Sequence, residues 1–254
     1  MAWRRGWLPV PRVHVRSRQA DGTILRCDLA DRTQRAMWLG GFEREESMLV
    51  TRLLGDGMTF VDVGAHIGWF TMLAGAAVGP AGRVFAFEAF PPNVVGLRTN
   101  VELNHLKSVK VYAVAASDQP GILELGIQAG SDTGSVTAGP RAAVGIVAVG
   151  AVKLDDVLPA DVLVHLMKID VEGLELSVLR GANEVLGRTQ AVLIEVNRGA
   201  LRANGTDAEE VVRALDAHGL VHRRIVGRQH GSPSGEFQLP HFANLLASRR
   251  ELPA

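Results

Sequence analysis

Residues 59–71 constrain the fold of this chain more than any other segment. The apolar run TFVDV breaks at Gly64 into a glycine turn, and a second apolar run typical of a helix begins near Trp69. Such a turn presents backbone N–H groups and a helix N-terminus to a small ligand. Where a dinucleotide-binding fingerprint has its first glycine, this chain has the carboxylate of Asp62. That carboxylate would repel a phosphate, so the turn favours a ligand with a positively charged end.

A second apolar run, Arg83–Phe87, ends on another acid, Glu88. In a βαβ unit Glu88 would lie beside the first turn, where its carboxylate can accept hydrogen bonds from both hydroxyls of a ribose. S-adenosylmethionine (SAM) carries an ammonium, a sulfonium and a ribose, so it suits both acids, whereas NAD suits Glu88 but not Asp62. Either acid taken singly is also explained as a turn or cap residue. Two acids on successive strand ends favour SAM as the cofactor.

These segments and three others resemble the FkbM family of SAM-dependent methyltransferases. Two positions depart from the family's pattern, since Ala89 replaces the usual proline and His66 stands where asparagine is common. The resemblance implies a class I methyltransferase fold, SAM as cofactor, and methylation of hydroxyls on secondary metabolites and sugars. The matching blocks keep the family's order between about residues 42 and 197, and they are residues 60–71, residues 87–93 with Leu97, Asn100 and Asn104, residues 154–156, residues 168–175 and residues 178–182.

Composition is consistent with one enzyme domain. A chain of 254 residues, 47% of them hydrophobic, can bury one substantial core. We therefore expect a SAM-dependent methyltransferase domain at residues 42–254 and a short N-terminal extension with a β-hairpin at residues 1–41. The 27 basic and 27 acidic residues give zero formal net charge, which argues against nucleic acid as the main partner.

The expected location is the cytoplasm. The single Cys27 cannot form an internal disulfide and fits a reducing compartment. No apolar run approaches the roughly 20 residues of a membrane helix, and the basic N-terminus lacks the apolar core of a signal peptide. Stable membrane insertion is therefore not expected, although an anchor at the membrane surface through Trp3 and Trp7 is an alternative. The sequence leaves the oligomeric state open.

Alternating strand-like and helix-like segments predict an α/β fold with a doubly wound, mostly parallel, seven-stranded Rossmann-like sheet and helices on both faces. The resemblance implies that the last strand runs antiparallel between its neighbours. The predicted core strands are residues 58–63, 83–88, 109–115, 162–169, 191–196, 220–226 and 242–247. The other predicted features are a hairpin at residues 13–17 and 23–29, a helix at residues 42–54, a hairpin insertion at residues 122–125 and 144–152 with a mobile tip near residues 130–135, and a capping box at residues 206–209 before a helix that Gly219 ends.

The functional site should lie at the carboxyl ends of the parallel strands. Asp118 could accept a hydrogen bond from the adenine amino group, or it could be an ordinary turn aspartate. His66 and Trp69 are more often packing residues than chemical groups, and His165 is expected at a satisfied core site. The predicted cofactor-binding residues are Asp62, Gly64, Ala65, His66, Gly68, Glu88, Ala89, Ser117, Asp118 and Asp170.

Methyl transfer from a sulfonium is an in-line displacement, and an alcohol acceptor also loses its proton as it attacks. Asp170 is the predicted catalytic residue, with Glu172 as its helper or substitute, although Glu172 could serve only to favour a helix start. The main hypothesis is O-methylation of a small molecule, sugar or glycolipid without a metal. The alternatives are a Mg²⁺-assisted O-methyltransferase with Asp170, Glu195 and Asn197 as oxygen ligands, and a noncatalytic SAM-binding partner protein. A NAD-linked dehydrogenase fits less well than these alternatives, because the first glycine of the dinucleotide fingerprint is missing. The sequence leaves the identity of the methyl acceptor open.

Overall fold

The computed structural model describes residues 14–18, 22–128, 136–138, 143–226 and 239–252. The strands are β1 (His14–Arg18), β2 (Ile24–Asp28), β3 (Thr59–Val63), β4 (Arg83–Phe87), β5 (Val109–Tyr112), β6 (Ala115–Ala116), β7 (Gly121–Gln128), β8 (Val136–Ala138), β9 (Ala143–Val152), β10 (Leu166–Ile169), β11 (Ala191–Asn197), β12 (His222–Val226) and β13 (Phe242–Ser248). The helices are α1 (Arg32–Trp38), α2 (Arg44–Leu53), α3 (Trp69–Val78), α4 (Pro91–Leu103), α5 (Leu154–Val157), α6 (Glu175–Arg180), α7 (Asn183–Gly187), α8 (Arg198–Ala203) and α9 (Ala208–Ala217).

The central sheet has seven strands in the order β12-β13-β11-β10-β3-β4-β5. Strands β11, β10, β3, β4 and β5 are parallel neighbours, and β13 runs antiparallel between β11 and β12. Helices α1 to α4 contribute to the core on one face of the sheet, while α6 to α9 contribute to the core on the other. This architecture confirms the predicted doubly wound sheet, including the antiparallel last strand.

Two predicted strands are shorter by three or more residues in the structure, and the one expected at residues 220–226 begins at His222. The strand expected at residues 109–115 ends at Tyr112, and Ala115–Ala116 pairs with β9 of a second, four-stranded sheet instead. The strand expected at residues 162–169 begins at Leu166, because Val164 forms only an isolated bridge with Thr189. These differences lie at strand ends, where the apolar run extends beyond the residues that form the hydrogen bonds of the sheet.

The predicted hairpin insertion is confirmed by the antiparallel pairing of β7 with β9. Its expected mobile tip, near residues 130–135, lies outside the described residues. The predicted capping box is displaced by one residue, because Asp207 and Glu210 form it and Thr206 donates to the carbonyl oxygen of Leu201 instead. Gly219, in the left-handed region at φ 71°, follows the end of α9 as expected.

The N-terminal segment is bound to α4 by two asparagines. Asn104 accepts a hydrogen bond from the backbone N–H of Ile24 and donates to its carbonyl oxygen, both at 2.7 Å. Asn100 accepts from the N–H of Arg26 at 2.7 Å and donates to the carbonyl oxygen of Ile67 at 2.8 Å. These bonds fasten β2 to the turn after β3. The hairpin of β1 with β2 is confirmed, and the domain boundary at residue 42 stays a prediction.

Within the described ranges, the helices are too short or too polar to cross a lipid bilayer.

Candidate active site

The turn after β3 is shaped by close backbone packing. The N–H groups of Gly64 and Ala65 donate to the carbonyl oxygen of Phe87 at 2.9 and 3.0 Å. Gly64 has φ 85°, and a Cβ placed on it would lie 1.8 Å from the carbonyl oxygen of Asp170. Gly68, at φ 97°, would place a Cβ 2.7 Å from Leu97. At position 64 the positive φ and the contact with Asp170 together require glycine. The turn therefore lies directly against the residue that follows β10.

Glu88 is fixed in direction by the backbone. Its Oε2 accepts the N–H of His66 at 2.7 Å, and its Oε1 accepts the N–H of Phe90 at 2.8 Å. Burial raises the pKa of Glu88 to about 7, although these N–H groups act in the opposite direction. The side chain of Asn93 also hydrogen-bonds this carboxylate, which leaves one of its roughly four lone-pair positions for a ligand. Glu88 therefore has the position beside the first turn that the sequence predicts.

A cavity of about 280 Å³ opens at this edge of the sheet. It brings together many of the predicted site residues on two sides. The turn end of the cavity is formed by Gly64, Ala65, His66, Glu88 and Ala89, and its acidic end by Glu43, Lys168, Asp170, Glu172 and Glu195. Aromatic and apolar side chains, among them Met37, Phe42, Trp69 and Phe70, complete the wall.

Several predicted residues do not line this cavity. Asp62 is only 1% exposed and accepts a hydrogen bond at 2.6 Å from the hydroxyl of Thr71, which ties β3 to α3. Asp118 accepts at 2.6 Å from the hydroxyl of Ser177, and Ser117 also contacts Ser177 at 3.1 Å. Gly68 lies below the turn. For these residues the assignment to the cofactor stays a prediction.

Lys168 is the centre of the acidic end. Its ammonium donates to Oδ2 of Asp170 at 2.7 Å and lies 4.7 Å from the ring centroid of Phe70, while its side chain is 6% exposed. Burial lowers the pKa of Lys168, but the negative charges of Asp170, Glu43 and Asp62 outweigh burial and raise it. Lys168 is therefore charged, and Asp170 is its ion-pair partner.

The remaining carboxylates of the acidic end have raised pKa values. Burial raises the pKa of Glu43 to about 7, despite the opposing charge of Lys168. Burial, followed by the charges of Asp170 and Glu172, raises the pKa of Glu195 to about 9. Burial and the charge of Asp170 also raise the pKa of Glu172. Titratable groups with perturbed pKa values in a cleft are typical of active sites.

Backbone strain is concentrated in the same place. Glu43, His66 and Glu172 have φ values of 39°, 52° and 54°, and all three line the cavity. Within the described ranges, His105 is the other non-glycine residue with a positive φ. Left-handed backbone at non-glycine residues costs about 1–3 kcal/mol each and is common at functional sites.

The histidines have different environments. Burial lowers the pKa of His66, so its imidazole is neutral, and its Nδ1 is buried without a hydrogen-bond partner in the described part of the chain. His165 accepts the backbone N–H of Thr59 at 3.0 Å, so it is satisfied as expected. It is half-buried and precedes β10, so it does not lie in the core. Trp69 donates to the hydroxyl of Ser47 at 2.8 Å and also lines the cavity.

The structure gives Asn197, one of the three residues of the metal-assisted alternative, another role. The side-chain oxygen of Asn197 accepts the N–H groups of Gly199 and Ala200 at 3.1 and 3.2 Å, which caps α8. Asn197 does not line the cavity. Among the described residues, no three His, Cys, Asp or Glu side chains are arranged as a metal-binding group.

The sequence does not predict the roles of two residues of the site, Lys168 and Glu43. For Lys168 the alternation of the strand predicts only that it shares a face with Asp170, and the salt bridge between them agrees with that alternation. Glu43 precedes α2, far from the other site residues in sequence. No local motif marks Glu43, because its place depends on how α2 packs on the sheet.

The chain is similar to known proteins in sequence and in structure. Residues 62–221, more than half of the chain, match the family model of the methyltransferase FkbM domain. The structure is similar to methyltransferase FkbM from Methylobacillus flagellatus KT, with 17% identity, a TM-score of 0.51, and coverage of 77% of this chain and 44% of that one. It is also similar to Trm5b from Pyrococcus abyssi, with 13% identity, a TM-score of 0.50, and coverage of 94% and 56%.

At these identities the two structures show the fold alone. The chain spans less than half of the length of the FkbM structure. Comparison with curated proteins gave no match.

Proposed function

Because the chain belongs to the FkbM family of SAM-dependent methyltransferases, we propose that it transfers the methyl group of SAM to a hydroxyl of a small molecule, sugar or glycolipid. The observation that carries this proposal is the order of groups along one edge of the sheet. Glu88 follows β4, the glycine turn follows β3, and Asp170 follows β10. A ligand lying along this edge meets a ribose-binding acid first and a cluster of carboxylates last.

The turn end suits the adenosyl part of the cofactor. Both oxygens of Glu88 are oriented by backbone N–H groups, so the carboxylate is held in place to accept a ribose hydroxyl. A second ribose hydroxyl would compete with the Asn93 side chain, which also hydrogen-bonds Glu88. Gly64 lets the chain pass close to Asp170, and His66 follows in a left-handed conformation. In this proposal the backbone of residues 64–66, with Ala89 beside Glu88, forms the surface on which the cofactor lies.

The acidic end suits the charged part of the cofactor. SAM brings an ammonium and a sulfonium, and among the described residues that line this end four carboxylates meet a single lysine. A cation in this buried site would favour the ionised carboxylates and so offset the cost of burying them. Asp170, with Glu172 beside it, is the proposed contact at this end. The methyl group of SAM would then face the part of the cavity wall that includes Glu195.

Catalysis would rest mainly on alignment. The methyl donor is already activated, and holding an acceptor oxygen in line with the S–CH₃ bond supplies about 7–11 kcal/mol. The apolar side chains of Met37, Phe42 and Trp69 line the same cavity and would limit the access of water to the bound groups. A hydroxyl acceptor needs a proton acceptor beside it, and this cavity contains several carboxylates.

Methyl-labelled SAM tests the proposal directly. The protein would be incubated with labelled SAM and a panel of hydroxylated metabolites, sugars and glycolipids, and each product would be located by NMR. A labelled methyl ether is the expected product, and the Gly64→Ala variant serves as a control for background labelling. A methylated nitrogen would contradict O-methylation. Tight SAM binding with no product from any acceptor would support a noncatalytic SAM-binding role instead.

A further inference from the structure

The carboxylates of the cavity fall into two groups. Glu88 and Asp170 have fixed partners, two backbone N–H groups for Glu88 and the ammonium of Lys168 for Asp170. The side chains of Glu43, Glu172 and Glu195 have no hydrogen-bond or ion-pair partner in the described part of the chain. A carboxylate without such partners loses no hydrogen bond when it takes up a proton.

The carboxylate of Asp170 is already engaged by an ion pair. Its Oδ2 lies 2.7 Å from the ammonium of Lys168, and that ammonium is nearly inaccessible to water. Breaking this ion pair would leave the buried charge of Lys168 without its nearest partner, which is costly. Asp170 is therefore assigned to holding Lys168, and a carboxylate without a fixed partner is the better candidate for taking the proton of the acceptor.

Glu195 lies on β11, next to Asp170 at the end of the neighbouring strand β10. Strands β10 and β11 are parallel, with Ile169 opposite Ile194, so Asp170 and Glu195 follow side by side in the register. Both line the cavity. On its other side β11 pairs with β13, where Asn244 stands opposite Glu195, but the Asn244 amide donates to Glu46 at 2.7 Å.

The two other carboxylates without fixed partners are less favourably placed. Glu172 lies in a loop and Glu43 precedes α2, both with left-handed backbone, whereas Glu195 is part of a strand paired on both sides. Burial and the neighbouring charges also make Glu195 more basic than Glu43, because the pKa of Glu195 is raised to about 9 while that of Glu43 is raised to about 7. The charged groups that act on Glu195 are Asp170 and Lys168 from β10, Glu172 from the loop after it, and Glu43 from the segment before α2.

We propose that Glu195, rather than Asp170, takes the proton of the acceptor hydroxyl during methyl transfer. This assignment rests on the proposed function. In the step, the acceptor oxygen forms a bond to the methyl carbon, the C–S bond breaks, and its electron pair stays on sulfur. The O–H proton passes to the carboxylate of Glu195. The products are a methyl ether, S-adenosylhomocysteine (SAH) with a neutral sulfur, and protonated Glu195, which returns its proton to solvent when the next SAM molecule binds.

The charge of the cofactor matches this cycle. While SAM is bound, its sulfonium favours ionised Glu195, which is the form that accepts a proton. After transfer the sulfur is neutral, and the protein alone then sets the proton affinity of Glu195. Without a ligand the pKa of Glu195 is already raised to about 9, so the product state retains the proton. The loss of the sulfonium charge and the gain of the proton therefore occur together.

The first test uses the acceptor that becomes labelled in the preceding experiment. We expect Glu195→Gln to lower kcat by about 10²–10⁴-fold, the usual range for a lost general base, with little change in the dissociation constant of SAH. Glu172→Gln is the matched control at the same end of the cavity and should cause a smaller loss of kcat. A kcat of Glu195→Gln close to that of the wild type would overturn the proposal.

The second test needs no acceptor. Calorimetry in buffers of different ionisation enthalpy counts the protons released when a ligand binds. At about pH 8, below the pKa of Glu195 of about 9, SAM should release more protons than SAH from the wild type, and Glu195→Gln should remove that difference. A difference that persists in Glu195→Gln would overturn the proposal. Failure of both ligands to bind would contradict the proposed function itself, so the two failures are distinguishable.

Discussion

The two ends of the cavity treat their carboxylates in opposite ways. At the turn end, both oxygens of Glu88 are held by backbone N–H groups at 2.7 and 2.8 Å. At the acidic end, Glu172 and Glu195 have no hydrogen-bond or ion-pair partner among the described residues. Fixed donors give a carboxylate one direction, which suits binding, whereas a carboxylate without them can change its protonation state. Under the proposed function, the turn end would therefore hold the ligand and the acidic end would carry out the chemistry.

The largest effect is expected where the two ends meet. In Gly64→Ala the new Cβ would lie 1.8 Å from the carbonyl oxygen of Asp170, and the alanine would need φ near 85°. Backbone strain costs about 1–3 kcal/mol and overpacking about 1–3 kcal/mol more, so thermal unfolding should occur at a much lower temperature and SAM binding should be lost.

Gly57→Ala is the matched control for this variant. Gly57 has φ 76°, and a Cβ added to it would have no heavy atom of the described residues within 4 Å, so its substitution introduces strain without a clash. Differential scanning calorimetry should show a clearly smaller loss of stability for Gly57→Ala. Equal losses in the two variants would mean that the close approach of Gly64 to Asp170 is unimportant.

A smaller effect is expected at Asn100, which supports the turn end from the N-terminal segment. Asn100 is fully buried, accepts from the N–H of Arg26 and donates to the carbonyl oxygen of Ile67. Asn100→Ala leaves these groups unsatisfied, at about 1–3 kcal/mol for each buried group. Urea unfolding should show this loss, and SAM affinity should fall with it. Thr99→Ala, which removes a bond at the helix surface, should change stability by less than about 0.5 kcal/mol. Similar losses would contradict a fastening role for Asn100.

Glu175, the first residue of α6 after the loop that carries Glu172, should make stability depend on pH. Glu175 accepts the N–H of Gly173 at 2.9 Å, and burial raises the pKa of Glu175 from 4.5 to about 7, although this N–H lowers it. Because the folded state holds the proton more tightly, the stability that Glu175 contributes is present below about pH 4.5 and is lost as the pH rises through about 7.

Glu175→Gln should therefore flatten the dependence of stability on pH across this range, by on the order of 2 kcal/mol. Glu43 and Glu88 also have pKa values of about 7, so the difference between wild type and variant isolates Glu175. Urea unfolding at several pH values measures it. Parallel curves for the two proteins would show that Glu175 does not titrate in this range.

The smallest expected effect is that of chelation. If protein groups alone remove the acceptor's proton, turnover should survive exhaustive treatment with EDTA, because no ion is then needed to lower the pKa of the hydroxyl. The measurement is the rate of label transfer before and after treatment. Loss of activity that Mg²⁺ restores would make Asp170, Glu195 and Asn197 a metal site and would contradict the proton transfer to Glu195.

The two ends also differ in how far the sequence predicts them. Gly64 and Glu88 lie in short contiguous motifs, so local pattern and the strand order suffice to place them together. Lys168 can be placed on one face with Asp170 by alternation, but their ion pair cannot be foreseen. Glu43 joins the site only because α2 packs on the sheet, where Ser47 accepts from Trp69 and Glu46 accepts from Asn244.

The fold is also predicted well where the sequence pattern is local and poorly where a position depends on distant contacts. Strands with long apolar runs are predicted within a few residues, and the parallel order follows from the alternation of elements. Helix α1 is not predicted because it has seven residues, too few for a clear apolar period, and its start depends on Asp31 accepting the N–H of Gln34. Asp118 is predicted near adenine from its position after a strand, whereas its carboxylate is bound to Ser177 of α6.

The central claim is that Glu88 and the glycine turn hold SAM at the turn end of this cavity. Calorimetric titration of SAM into the wild type and into Glu88→Ala tests it most directly, with NAD as the competing ligand. We expect saturable SAM binding, no NAD binding, and an affinity for SAM that falls by about 1.5–3 kcal/mol in folded Glu88→Ala, roughly 10- to 150-fold. Tight NAD binding, or an unchanged SAM affinity in the folded variant, would contradict the account.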